Sequence, residues 1–385
     1  MARLGDVGKV ITGNTPKTSD SQNYVSNDIC FVKPSDIVDG IVTYLEDSEF
    51  YISEHARAKA RILPPKSVLV TCIGIIGKVA INNVECAFNQ QINAIIPDKS
   101  KCLTEYLAYA IQNKQAEMQD IANAPVVPIL NKTQFSDIEI KLPSLTEQAE
   151  IIGKLNAVTK LIALRKEQLA MLDQLVKSRF IELFGNLVIG DKITANKKKI
   201  GEIASVTKLA GFEFTKYIQY KEQGDIIMLR GLNCKKGHLV LDDIKWIDKE
   251  TSDLLPRSKL YHGDILMTYA GTIGDVAMVD ADDKYHLAPN VAKITLNDKK
   301  AYNPVFLIHL FMYTNDYILT FASVVAQASI NMEKIRNFEY YFPPVELQNQ
   351  FAVFVEQTDQ SKLAIQQSLD KLELLKKSLM QEYFG

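Results

Sequence analysis

No apolar run in this chain approaches the ~18 residues that a membrane span requires. Its opening residues, MARLGDVGKV, hold no apolar h-region, so no signal peptide is expected. The five cysteines, Cys30, Cys72, Cys86, Cys102 and Cys234, are odd in number and form no C-x-x-C pair. That pattern argues against a disulfide framework or a zinc site and fits reduced thiols in the cytoplasm. The histidines, His55, His238, His262, His286 and His309, show no H-E-x-x-H or other metal-ligand spacing. There is no G-x-x-x-x-G-K-[ST] loop and no G-x-S-x-G elbow. The two diprolines, in LPPK at Pro64 and FPPV at Pro343, do not fit the [DNS]-P-P-[YF] signature of DNA amino-methyltransferases. An F-x-G-x-G loop for S-adenosylmethionine is missing as well. No catalytic set assembles.

Excess positive charge is also lacking. The net charge is −2, whereas nucleic-acid binders are usually basic, because neutralising phosphates supplies most of their affinity. Either the chain does not bind DNA, or its cations act locally, or a partner supplies the rest. The cations are in fact grouped: Lys197–Lys199, then Lys208, then Arg230 with Lys235 and Lys236, and in the first half Lys17 and Lys33.

What the chain does have is a long internal repeat. At an offset of 200, Asn131, Pro143, Gln148, Leu169, Leu172, Glu182, Phe184 and Gly185 all recur. Upstream, TCIGIIGKVA from Thr71 faces TYAGTIGDVA from Thr268, and LGDVGKV from Leu4 faces IGEIASV from Ile200. The period is too long for a solenoid. It reads as a tandem duplication of one unit, a mixed α and β region followed by a long helix. The divisions expected are 1–143, 144–185, 186–343 and 344–385.

The first helix opens on S-x-x-E at Ser144 and Glu147, a capping box. The second has Pro344 and Leu347 there and must begin differently. Apolar residues at Ile151, Leu155, Val158, Ile162, Leu169, Leu172 and Val176 alternate steps of four and three, interrupted at Arg165. That is a coiled-coil seam. Phe351, Val355, Ile365, Leu369 and Leu372 give its counterpart, with Thr358, Lys362 and Lys376 as polar breaks. The economical arrangement packs the two helices on each other, and Gly185 and Gly385 suit their C-caps. In the globular regions, SVLVTCIGIIGKVAI and DILMTYAGTIGDVAMV read as strand, glycine turn, strand. LTEYLAYAIQNKQAEMQDIA and NPVFLIHLFMYTNDYILTFASVV read as helices.

Candidate contact residues sit on the segments between these elements. Lys33 and Arg230 follow equivalent strands, ICFV and IIML, and lead into polar turns that hold Ser35 and Asn233. Arginine suits guanine, and asparagine or glutamine suits adenine. Asn89 and Gln90 face the segment around Asn290 in the other copy. The glycine turns offer Thr71 in one copy and Thr268, Tyr269 and Thr272 in the other. Thr15, Lys17, Lys208 and Lys216 complete the set. Each of these residues also has an ordinary reading, as a turn former or a solvated charge.

The whole chain resembles the DNA specificity subunit of Type I restriction–modification enzymes. LGDVGKVITGNTPKT resembles that family's G-x-T-P start of a target recognition domain. LPSLTEQAEII resembles its L-P-P-L-x-E-Q-x-x-I start of a spacer helix; PPVELQNQF keeps the prolines and the glutamine but not the E-Q pair. The resemblance implies an α+β fold of two pseudo-symmetric target recognition domains, each followed by a long helix, with the helices packed as an antiparallel coiled coil. It implies a non-catalytic, cytoplasmic subunit that reads a bipartite site in double-stranded DNA. The helices would set the gap and bind two methyltransferase subunits, with restriction subunits joining the complex. S-adenosylmethionine would be bound by the methyltransferase partner, and this chain would carry no cofactor. Two other readings stay open: a coiled-coil adaptor that does not read DNA, and a self-contained restriction–methylation enzyme.

Overall fold

The computed structural model describes residues 1–122, 127–193, 196–323 and 328–385. The chain forms two compact units, Met1–Lys166 with Gln367–Gly385, and Glu167–Gln366. Each unit holds one globular region and part of each long helix. The sequence boundaries instead fall where the long helices begin.

In the first unit, one sheet is ordered Gly8–Thr12, Ile92–Pro97, Val68–Thr71, Val79–Asn82, Val42–Leu45. A second is ordered Tyr51–Ile52, Ile29–Val32, Cys86–Phe88, Ile62–Leu63. Strands VLVT, VAIN and CAF are buried at every residue, so they read as continuous apolar runs and not as alternating ones. The second unit repeats both sheets. One is Ala204–Lys208, Val291–Leu296, Ile265–Thr268, Val276–Met278; the other is Lys245–Ile247, Ile226–Leu229, Tyr285–Leu287, Lys259–Leu260. Both glycine-turn hairpins form as expected. One edge differs. Where the first unit has Val42–Leu45, the second has a small hairpin, Cys234–Lys235 with His238–Leu239. Its turn uses positive φ at Lys236 and Gly237.

The two expected globular helices are each broken once. The first divides into Thr104–Asn113 and Gln115–Ile121, the second into Pro304–Tyr313 and Asn315–Leu319. The remainder of the second stretch lies partly outside the described residues. The breaks fall where each helix packs on a glycine turn. A Cβ on Gly77 would lie 2.7 Å from Gln115 Cγ, and one on Gly274 would lie 1.9 Å from Asn315 Oδ1. The second glycine of each turn is therefore fixed by positive φ and by this contact.

The long helices run from Leu145 to Phe184 and from Val345 to Phe384. The capping box is formed: Ser144 N–H donates to Glu147 Oε2 at 2.9 Å, and Glu147 N–H to Ser144 Oγ at 3.3 Å. The second helix starts on the Pro344 carbonyl, which accepts from Leu347 and Gln348. Gly185 closes the first at φ +64°. Within each unit the helix segments run antiparallel. In the first, Lys154 Nζ reaches Tyr383 OH at 3.0 Å and Lys166 pairs with Glu373 at 2.9 Å. In the second, Asp173 pairs with Lys362 at 2.7 Å, and the rings of Phe180 and Phe351 lie 5.3 Å apart. Leu155, Val158, Val176, Phe351, Val355 and Leu369 are buried on the expected seam. Lys362, a polar break in the pattern, is thus an ion-pair position.

Among the described residues, no helix is long and apolar enough to cross a membrane. Among the same residues, no group of three or more His, Cys, Asp or Glu could hold a metal ion. The five cysteines are unpaired.

Candidate nucleic-acid interface

Topology brings the candidate loops together in each unit. Strands Ile29–Val32 and Cys86–Phe88 are parallel neighbours, with Val32 opposite Phe88. Both end at the same edge, so Lys33 and the Asn89–Gln91 segment emerge side by side. The link is direct: Asn89 N–H donates to Val32 O at 3.1 Å. The second unit repeats this with Leu229 opposite Leu287, followed by Arg230 and the Ala288–Asn290 segment. The glycine turns reach the same place, since Cys72 N–H donates to Gln91 O and Tyr269 N–H donates to Asn290 O.

Lys33 and Arg230 are structural equivalents, as their sequence positions indicate. Each starts a single helical turn, Pro34–Asp36 or Gly231–Asn233, whose third side chain accepts the N–H of the first residue. Asp36 accepts from Lys33 at 2.7 Å and Asn233 from Arg230 at 2.9 Å. The side chains differ in setting. Lys33 Nζ lies 3.1 Å from the centre of the Phe50 ring. Arg230 donates through Nη2 to the backbone and carboxylate of Asp243, at 2.9 and 2.7 Å. Its Nε is buried with no partner.

Four candidate side chains are used internally. Asn233 is fully buried and also donates to the carbonyls of Val240 and Asp243. Asn89 is buried and folds back on Gln91. Thr71 and Thr268 are buried, and each hydroxyl braces its own turn: Thr71 Oγ1 donates to Ile75 O, and Thr268 Oγ1 to Thr272 O. Each of these side chains shapes the loop it sits on.

The other candidates are exposed or half-buried. Thr15 Oγ1 donates to Gln90 Oε1 at 2.6 Å, which joins the G-x-T-P segment to the Gln90 loop. Gly13 permits this approach, because a Cβ there would lie 2.0 Å from Asn89 O. Lys17 and Ser35 are exposed on the same unit's loops. In the second unit Lys208 Nζ sits 5.6 Å from the Tyr269 ring and Lys216 Nζ 4.9 Å from the Tyr217 ring. Burial raises the Tyr269 pKa. Asn290 is exposed at φ +67°.

Arg230, Thr268, Thr272 and Asn290 line one cleft of about 550 Å³ in the second unit. Its lining adds residues that the sequence reading missed as contacts: Phe214 and Tyr220, an aromatic pair 5.7 Å apart, with Lys235 and Asp275. The repeat offered a signal for Asp275, which stands where the first copy has Lys78. Phe214 and Tyr220 have no such marker, because they lie on a segment without a clear counterpart. The Lys197–Lys199 run is a ribbon strand paired with Glu339–Tyr341, and Lys198 Nζ donates to Tyr302 OH. All three lysines remain exposed.

A model of the type I restriction modification DNA specificity domain matches residues 1–174 and again 193–375. The chain is 28% identical over 250 residues to the type I restriction enzyme MjaIX specificity subunit of Methanocaldococcus jannaschii. That match covers 64% of this chain and about half, 55%, of the relative. Identity to the MjaVIII specificity subunit of the same organism is 22% over 408 residues, covering 99% of this chain and 90% of the other. Among solved structures, a chain from work on complex assembly and conformational transition of the type I R-M system superposes with a TM-score of 0.63 at 16% identity. It covers 100% of this chain and 96% of the other. With the domain matched twice, once in each half of the repeat, the chain belongs to the type I restriction modification DNA specificity domain family.

Proposed function

We propose that this chain is the DNA-reading, non-catalytic subunit of a type I restriction–modification complex. Each globular region reads one half of a bipartite site in double-stranded DNA. The long helices fix the gap between the halves and carry two methyltransferase subunits, to which restriction subunits add. S-adenosylmethionine and the methyl-transfer chemistry belong to the methyltransferase partner. The exposed or half-buried residues on the reading loops are Thr15, Lys17, Lys33, Ser35 and Gln90 in one unit, and Lys208, Lys216, Arg230, Tyr269, Thr272 and Asn290 in the other.

The observation that carries this reading is the repetition of one loop frame. Two parallel strand ends and a glycine turn converge in the same way in both units. A split target calls for two such readers. The near-neutral charge fits a subunit whose partners supply much of the phosphate contact. Exposed apolar side chains on the long helices, including Leu164, Met171, Leu175, Leu363 and Leu374, fit surfaces that partners cover.

The test is an exchange. Residues 1–143 are replaced by the equivalent region of a relative with a different target, and the methylated motif is sequenced in cells that carry the partner subunits. One half-site should change and the other persist. If both changed, the units would not be independent readers. A footprint lacking two contacted patches around an unread gap would favour the adaptor reading.

A further inference from the structure

The turn from Thr268 to Asp275 has the same backbone frame as the turn from Thr71 to Lys78. Thr268 N–H donates to Asp275 O at 2.9 Å, and Thr71 N–H to Lys78 O at 3.0 Å. Asp275 N–H and Lys78 N–H each donate to the threonine hydroxyl at 3.0 Å. At the end of the frame the side chain changes from a cation to an anion. Lys78 is engaged, with Nζ donating to Pro34 O at 3.3 Å. The Asp275 carboxylate accepts no hydrogen bond and forms no ion pair among the described residues. It is half-buried in the lining of the cleft that also holds Arg230, Lys235 and Asn290. Burial raises its pKa, and Lys235 works against that rise.

A carboxylate in this lining is unfavourable for phosphate, because like charges repel. A cleft that held only DNA backbone would be better without it. What the carboxylate needs is a donor. In the major groove the donors are the exocyclic amino groups, N4 of cytosine and N6 of adenine. Guanine and thymine present O6 or O4 at the corresponding place, and both are acceptors. An acceptor facing a half-buried carboxylate leaves two unpaired, mutually repelling oxygens, which is a means of rejection.

Resting on the reading that the second unit recognises a half-site, we propose that Asp275 is a specificity-determining residue. Its carboxylate accepts from the amino group of one cytosine or adenine in that half-site and rejects guanine and thymine at that position of the strand. The first unit, with Lys78 at the same place, lacks this acceptor. One loop frame thus carries opposite chemistry in its two copies.

The test uses the complex of this chain with its methyltransferase partner on duplexes carrying the methylated motif. The half-site that persists in the exchange experiment is the one assigned to the second unit. Each of its cytosines and adenines, other than the methylated base, is replaced in turn by the analogue lacking the amino group, 2-pyrimidinone or purine. One replacement should weaken binding by roughly 5- to 150-fold, the span of one good base contact. The same replacement should cost nothing further in the Asp275→Ala complex. If no analogue weakens the native complex, or if the loss is equal in both complexes, Asp275 does not read an amino group. Asp275→Asn, which keeps the size and one acceptor, replaces the alanine variant if that fails to assemble, and should relax rejection of guanine or thymine at the same position. The underlying reading fails in a different way: a duplex with this half-site scrambled would then bind as tightly as the motif.

Discussion

Gln148 accepts the backbone N–H of Leu103 at 2.8 Å and, through Nε2, donates to the carbonyls of Lys101 and Pro143. Gln348 repeats the arrangement, accepting from Asn303 at 3.0 Å and donating to Pro343 O at 2.8 Å. Both amides are buried. Each ties the first turn of a long helix to the start of a globular helix. The glutamine of the E-Q pair is therefore a structural joint.

Gln148→Ala leaves one donor and two acceptors unpaired in a buried place. The expected loss is roughly 2–4 kcal/mol, given the cost of orphaned buried groups. Gln348→Ala orphans fewer groups and should cost less. Thermal melts of both variants check the order. Equal melting temperatures for Gln148→Ala and the native chain would show that water replaces the amide.

Gly13 and Gly40 separate crowding from backbone strain. Gly40 has φ +76° but open space around it, so Gly40→Ala should cost about 1–2 kcal/mol, the price of a left-handed alanine. A Cβ on Gly13 would meet the backbone oxygens of Asn89 and Phe88 at 2.0 and 2.5 Å. Backbone cannot step aside as a side chain can, so Gly13→Ala should destabilise by about 3 kcal/mol or more. Chemical denaturation of the two variants measures the difference.

Much of this was legible in the sequence. The offset of 200 pairs Asn131 with Asn331, and both cap short helices, accepting from Gln134 and Lys334. The offset of 197 pairs Lys33 with Arg230, and the strand ends agree. These features are local or repeated, and repetition doubles a weak signal. The breaks at Lys114 and Thr314 were not legible, because they come from a helix meeting a distant turn. Nor was the burial of Asn233. A polar residue three positions past a strand reads as a projecting contact, whereas here it caps the turn it sits on.

His286 and His309 give the second unit a sensitivity to acid. Burial is the main cause holding each imidazole below its ordinary pKa. The Leu287 and Leu255 carbonyls oppose this for His286, and Val305 O and Asp359 oppose it for His309, where His238 and Lys362 add to the lowering. The fold therefore holds the neutral forms, and the unfolded chain takes up protons first as pH falls. Their contribution is complete above the unfolded value of ~6.5 and is lost as pH falls from there through the lower folded values. Melting temperature should drop as pH falls below about 6.5, and His286→Asn should flatten part of that slope. An unchanged slope in the variant would remove His286 as a cause.

Arg230→Ala should relax one position of one half-site by roughly 1–3 kcal/mol if the guanidinium reads a base. Binding assays over every single-base variant of the motif provide the measurement. A uniform loss across all variants would mark a phosphate contact instead. Asp243→Asn is the companion variant, because Asp243 holds Arg230 through both a carbonyl and a carboxylate. It should loosen the same position and no other.

The proposal that the long helices set the gap is open to a direct test. Seven residues inserted after Lys166, between Lys166 and Gln168, keep the seam in phase on both sides of the insert. A matching seven after Gln366 preserve the antiparallel partners. Lys154 with Tyr383 and Asp173 with Lys362 stay in register, since each pair lies within one unit. At ~1.5 Å per residue the helices lengthen by roughly 10 Å. DNA advances ~3.4 Å per base pair, so the preferred gap should grow by about three base pairs. Those base pairs also turn the second half-site by about 100°, given ~10.5 per helical turn. Protein or DNA must absorb that twist, so affinity should fall even as the longer gap becomes preferred. The half-site sequences should not change, because no reading loop is touched. The methylated motif of cells expressing the variant with its partners is the measurement. An active variant that kept the original gap would show that the helices do not set it.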